Sequence, residues 1–173
     1  MNKMIKWFYY LIGRPDIYAK RLGLKFGKNC QFDFKHLGSE PYLITIGDNF
    51  RASQNVYFVT HDGAVSVIRN LYPEYQDIDS FGTIQIGDNV FIGINCTILP
   101  GSIIEDNVIV GAGSLIKGKL EKNSVYAGVP AKKIMSVEDY KEKNQMQFIH
   151  TKKMSKEEKK IFLIAEYSHL LNQ

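Results

Sequence analysis

The chain has 173 residues, of which 45% are apolar, 12% aromatic and 23% charged, enough for one domain with a real core and unlike a disordered, collagen-like or staple-dependent chain. Two cysteines, Cys30 and Cys96, with no CxxC or Cys/His cluster, exclude a disulfide framework, give no sign of zinc and point to a reduced, cytoplasmic setting. The net charge of +4 is uneven: residues 1–36 carry eight Lys/Arg against two acids, residues 37–130 five against ten, and residues 131–173 nine against six, which argues against a central nucleic-acid groove.

The first element, Met4 to Ile12 (MIKWFYYLI), is apolar but interrupted by Lys6, shorter than a membrane span and without a small-residue cleavage site before Arg14-Pro15. It reads either as a short helix packed on the body or as a peripheral membrane attachment. Residues 1–23 are expected to be a helical segment.

From residue 24 a period of six takes over. It is faint at Phe26-Gly27 and Phe32, returns at Ile46-Gly47, Ala52 and Phe58, and runs unbroken through Ile86, Ile92, Ile98, Ile104, Val110 and Ile116. Four places after each of these last six stand Val90, Cys96, Ser102, Val108, Ser114 and Leu120, mostly small side chains. Six is neither a helical nor a strand period, and the Pro100-Gly101 pair would break a helix. A six-residue unit that points one aliphatic side chain inward is a short strand and a corner. Three units close a triangular coil, and Gly47-Asp48-Asn49, Gly87-Asp88-Asn89 and Asp106-Asn107 supply corner residues. The prediction over residues 24–136 is an all-β solenoid, in which each coil buries its face only against its neighbours.

Two stretches break the period: His36 to Pro41, and residues 61–81, a loop between Phe58 and Ile84 of a length that is usually functional. Residues 137–173 read as a helical extension, with helices over Val137 to Asn144 and Lys156 to Leu171. In the second, Ile161, Ile164, Ala165, Ser168 and Leu171 share a face suited to docking on its own or a neighbouring subunit.

These repeats, together with Tyr126-Ala127-Gly128-Val129-Pro130-Ala131-Lys132-Lys133-Ile134, resemble the hexapeptide-repeat acyltransferases. Within that family, Ile84-Gln-Ile-Gly-Asp-Asn-Val-Phe-Ile-Gly, Leu99-Pro-Gly and Val110-Gly-Ala-Gly-Ser look like the maltose and galactoside acetyltransferase branch. Ser39-Glu-Pro-Tyr-Leu-Ile-Thr-Ile-Gly-Asp and Thr60-His-Asp-Gly fit the sugar O-acetyltransferases of capsule and O-antigen assembly more closely. The resemblance covers about residues 24–136. It implies a left-handed parallel β-helix with helical appendages, a homotrimer, acetyl-CoA as cosubstrate, no metal, and a sugar or glycan acceptor.

Acetyl transfer to a hydroxyl needs a base and a donor for the oxyanion. His61 stands where the repeat ends and the long loop begins, the place of the catalytic histidine in the galactoside and maltose enzymes. Asp62 and Glu40 are the nearby carboxylates that could orient it, and Asp62 is equally suited to a turn before Gly63. Cys30 and Cys96 read as small core residues, so attack is expected to be direct, with the N–H of Gly93 or its neighbour as first candidate for the oxyanion. The resemblance maps the coenzyme onto Gly93, Ile94, Gly111, Ala112, Lys117, Gly118 and Lys132. Gln31, Asp33 and Glu40 fall to the sugar, with Gln31 replacing the asparagine of galactoside enzymes. Arg69, Tyr72 and Tyr75 of the loop either contact glycan or grip the next subunit.

Three other readings compete with this one. N-acetylation of an amino sugar nucleotide uses the same fold and base, but no nucleotide-binding domain precedes the repeats. A γ-class carbonic anhydrase needs three converging histidines, and only His61 lies in the repeats proper. A non-catalytic scaffold leaves His61, the loop and AGVPAK without a purpose.

Overall fold

The computed structural model describes Met4 and residues 15–171. The rest of the apolar stretch from Met4 to Ile12 lies outside the described residues. The chain divides into two compact units, one running to Tyr140 and one beginning at Lys141.

In the first unit, helix α1 (Pro15–Arg21) leads into eleven short strands from β1 (Lys25–Phe26) to β11 (Lys119–Leu120), followed by the hairpin β12 (Ser124–Ala127) and β13 (Lys132–Ser136). With β2 at Ile44–Ile46, β3 at Arg51–Ala52 and β4 at Tyr57–Phe58, the strands fall into three sheets, ordered β1-β2-β5-β8-β11, β4-β7-β10 and β3-β6-β9-β12-β13. From β5 (Ile84–Ile86) through β6 (Phe91–Ile92), β7 (Thr97–Ile98), β8 (Ile103–Ile104), β9 (Val108–Val110) and β10 (Leu115–Ile116), successive strands enter the three sheets in strict rotation. All pairings are parallel except β12 with β13.

The register explains the period of six. Ile86 pairs with Ile104, Ile92 with Val110 and Ile98 with Ile116, each eighteen positions or three units apart. All six lie within 4% exposure, and so do their companions Val90, Cys96, Ser102, Val108, Ser114 and Leu120. Each unit therefore contributes two inward side chains and leaves the rest outside. Small hydroxyls fit because they satisfy themselves against backbone: Ser102 Oγ donates to the Leu99 carbonyl and Ser114 Oγ to the Gly111 carbonyl, both at 2.7 Å.

Corners are made by asparagine. Asn29, Asn49, Asn55, Asn89, Asn95, Asn107 and Asn123 all take φ between 55° and 59°, a left-handed conformation that asparagine tolerates. Their amides form ladders along the stack: Asn89 Nδ2 donates to Asn107 Oδ1 at 2.8 Å, and Asn107 Nδ2 to Asn123 Oδ1 at 2.9 Å. Beside them Asp88 and Asp106 accept from the backbone N–H of Asp48 and Asp88 in turn.

The ends of the stack differ. At the N-terminal end Phe32 packs edge-on against Phe26 and Phe50, and Ala19 and Leu24 join the same core. At the other end the antiparallel hairpin β12–β13 closes the third sheet.

The break at residues 61–81 is not a plain loop. It carries helix α2 (Val65–Leu71) and a 3-10 turn at Pro73–Tyr75. No residue of α2 is buried, so the helical spacing of Ala64, Val67, Ile68 and Leu71 marks no core-facing side. The insertion leaves the stack intact, since β2 (Ile44–Ile46) still pairs with β5 across it, Ile46 opposite Ile86.

Helix α3 (Val137–Asn144) leads out of the first unit, with Ser136 and Asp139 reciprocally hydrogen-bonded at its start. The second unit contains α4 (Lys156–Glu166) and α5 (Ser168–Leu171). A capping box of Ser155 and Glu158 starts α4. Of the shared face read there, Ile161 and Ile164 are exposed.

Candidate active site

The stretch Phe34–Leu43 and the start of the insertion meet at the edge of the stack. Glu40 precedes a 3-10 turn whose first residue, Pro41, is buried, which fixes the direction in which the carboxylate leaves the backbone. Thr60 is fully buried beside it and donates its hydroxyl to Glu40 Oε2 at 2.6 Å. His61 Nδ1 lies 3.1 Å from the same oxygen. An ionised carboxylate only accepts, so Nδ1 carries the ring proton and Nε2 keeps its lone pair. Burial alone would push the Glu40 carboxyl up; hydrogen bonds from Thr60, His61 and Ser39 outweigh it and hold the group below its ordinary range.

The insertion is zipped shut at this point. His61 bridges Phe81 antiparallel, Asp62 N–H donates to the Ser80 carbonyl, and Gly82 N–H donates to the Thr60 carbonyl, both at 2.9 Å. The Phe81 ring lies 6.4 Å from the imidazole and is exposed. Further out, Arg69 Nε donates to the Ile78 carbonyl at 2.7 Å and its Nη2 pairs with Asp79. Two clefts adjoin at His61. One is lined by Ser39, Glu40, Asp62, Val65, Arg69 and Asp79. The other is lined by Val59, Asp62 again, Phe81, Leu99, Pro100, Gly101 and Lys117.

The expected site residues are distributed as follows. Between the two carboxylates, the contact to His61 belongs to Glu40. Asp62 turns its carboxylate to the N–H of Ala64 at 2.9 Å, the turn role, while still lining the cleft. Glu40, read as a sugar contact, is thus engaged with the histidine. Gln31 and Asp33 lie apart from His61, in a cleft with Phe32, Arg51, Ser53 and Gln54. Asp33 also accepts from Lys35 N–H at 2.9 Å.

Of the coenzyme set, Lys117 lines the cleft of His61. Gly93 and Ile94 stack on Gly111 and Ala112 of the next coil so closely that a Cβ on Gly93 would stand 2.5 Å from Ala112 N. Gly118 takes φ +77° at the end of β10, and Lys132 opens β13. The expectation that Gly93 supplies the oxyanion donor is corrected: its N–H is spent on the Val110 carbonyl at 2.8 Å as part of the parallel ladder. The Cys96 thiol is buried and pushed up by that burial, and it points to the Gly111 carbonyl at 3.2 Å. Three contacts escaped sequence reasoning: the hold of Thr60 on Glu40, the approach of Phe81 to His61, and the pairing of Arg69 with Asp79. Reading the insertion as a loop with adjoining ends would have brought Phe81 and Thr60 beside His61.

Residues 83–118 match the family described as bacterial transferase hexapeptide (six repeats). The chain is 46% identical over 151 residues to protein CapG of Staphylococcus aureus, covering 86% of each. It is 35% identical over 114 residues to WbbJ of Escherichia coli K12, provisionally named a lipopolysaccharide biosynthesis O-acetyl transferase, covering 62% of this chain and 57% of that protein. It is also 32% identical over 149 residues to the galactoside O-acetyltransferase of Escherichia coli K12, covering 80% of this chain and 69% of the relative. Among solved structures, a galactoside acetyltransferase in complex with coenzyme A superposes with a TM-score of 0.52 at 25% identity, covering 76% of this chain and 74% of that one.

Proposed function

The chain belongs to the hexapeptide-repeat acetyltransferases, and from that premise we propose that it is an acetyl-CoA-dependent O-acetyltransferase acting on a sugar hydroxyl of a surface polysaccharide or its precursor. The three-sheet rotation is read as the left-handed parallel β-helix of that family, working as a homotrimer in the cytoplasm. The coenzyme runs along Gly93, Ile94, Gly111, Ala112, Lys117, Gly118 and Lys132. The observation that carries the chemistry is the seating of His61 on Glu40.

In the reaction, Nε2 accepts the acceptor hydroxyl proton as its oxygen attacks the thioester carbonyl. The tetrahedral intermediate collapses with loss of the coenzyme A thiolate, and the imidazolium returns the proton to that sulfur. Glu40 holds the productive tautomer and stabilises the transient imidazolium, and Thr60 holds Glu40. Cys96 is buried with its thiol raised and Cys30 lines neither cleft at His61, which supports direct attack without a covalent intermediate. The similarity to WbbJ and the fit of Ser39 to Asp48 and Thr60 to Gly63 with polysaccharide O-acetyltransferases support the glycan acceptor.

The test is a screen of glycan acceptors with radiolabelled acetyl-CoA, His61→Ala serving as control. Alkali-labile label on a sugar oxygen, absent with the variant, is expected. Alkali-stable label on an amine would replace O- by N-acetylation.

A further inference from the structure

The two flanks of His61 share Asp62 and differ in formal charge. On the first, Glu40, Asp62 and Asp79 face one guanidinium, that of Arg69, a formal balance of −2. Arg69 is already engaged: its Nε donates to the Ile78 carbonyl and its Nη2 pairs with Asp79, which neutralises its charge. Glu40 accepts from Thr60 and faces His61, and Asp62 accepts from the N–H of Ala64, contacts that leave carboxylate lone pairs for sugar hydroxyls. On the second flank Lys117 and the shared Asp62 are the charged side chains beside His61, a formal balance of zero, among Val59, Leu99 and Pro100.

Resting on the reading of His61 as acyl-transfer base, we infer that the carboxylate-lined flank is a filter for acceptor charge: it admits an uncharged sugar and rejects a carboxylate or phosphate next to the reacting hydroxyl. The polyanionic donor belongs on the Lys117 flank, where the lysine offsets Asp62 and the apolar wall suits the pantetheine arm. An anion placed on the first flank meets Glu40 and Asp62 uncompensated, since Arg69 is already neutralised by Asp79. Asp79 is the specificity-determining residue, because it neutralises Arg69; Asp79→Asn keeps the shape and releases the guanidinium.

The charge of this flank can be read without knowing the acceptor, by alkylating His61 with uncharged iodoacetamide and anionic iodoacetate. In both, the imidazole nitrogen displaces iodide, and peptide mass spectrometry scores the product at His61. N-acetylhistidine amide in the same solution sets the reference ratio. The uncharged reagent is expected to be favoured at His61 by roughly three- to tenfold over the reference at low salt, with the preference shrinking as added salt shortens the screening length. It should fall in Asp79→Asn and in Asp62→Asn, each checked for native circular dichroism. In acceptor pairs that differ only by a carboxylate, such as methyl hexosides and methyl hexuronides, kcat/KM should favour the neutral member, and Asp79→Asn should narrow the gap. A His61 ratio at or below the reference, or preferred use of the hexuronide, overturns the filter. Loss of acetyl-CoA binding would overturn the acyltransferase reading instead, and leaves the alkylation result standing by itself.

Discussion

At the scale of single residues, the pairing of His61 with Glu40 determines which ring nitrogen can act as base. His61→Ala is expected to lower transfer by about 10²- to 10⁴-fold, the usual contribution of a positioned base, while acetyl-CoA affinity holds. Glu40→Gln preserves size but lets the amide donate to Nδ1 and favour the wrong tautomer. Its kcat is expected to fall by about 10²-fold or more, with KM for acetyl-CoA little changed. Equal losses in both would make Glu40 a general support of the fold. The same carboxylate carries a pH signature. Its folded pKa lies below the ordinary 4.5, so its contribution to stability is present above that value and is lost as the pH falls through the lowered one. Thermal denaturation should show wild type more stable than Glu40→Gln at neutral pH, with the gap closing in acid.

Among the elements, coil stacking is limited by backbone approach at one corner and by amide ladders at another. Gly93→Ala brings a Cβ to 2.5 Å from Ala112 N and 2.8 Å from Ala112 Cα, contacts that rigid backbone cannot relieve cheaply. A loss of about 1–3 kcal/mol is expected in denaturant melts. Gly63→Ala, with no atom within 4 Å, should stay within about 0.5 kcal/mol. Asn107→Ala removes a donor and an acceptor from the ladder and puts alanine at φ 57°, a loss of about 1–2 kcal/mol; Asn107→Gly should recover the backbone part.

The coils were legible because every sixth side chain must enter the interior and eighteen residues return the chain to the same sheet. Ile86 opposite Ile104 is that rule made visible. Helix α2 was not read: Ala64, Val67, Ile68 and Leu71 stand at helical spacing, but over a seven-residue helix such a stripe is too short to tell it from an apolar loop or strand. The partnership of Glu40 with His61 was left open between two carboxylates because it joins two breaks in the repeat, twenty-one residues apart, whose relative placement no period encodes. Adjacency favoured Asp62, but the Asp62-Gly63 turn consumes that side chain locally. The oxyanion assignment to Gly93 failed for a related reason: parallel pairing claims its N–H.

For the whole molecule, the proposal requires self-association, and sedimentation should give about three times the 19.8 kDa chain mass; a monomer at micromolar concentration would remove the trimer from the account. No helix among the described residues is long and apolar enough to cross a membrane. The central claim is that this stack of coils binds an acyl donor and presents it to His61. Calorimetric titration of acetyl-CoA into wild type, His61→Ala and Ala112→Trp, the last meant to fill the groove beside Gly93, tests it most directly. The account predicts saturable binding near one site per chain, kept in His61→Ala and lost in Ala112→Trp. Absence of binding at millimolar acetyl-CoA, or binding undiminished by the tryptophan, would contradict it.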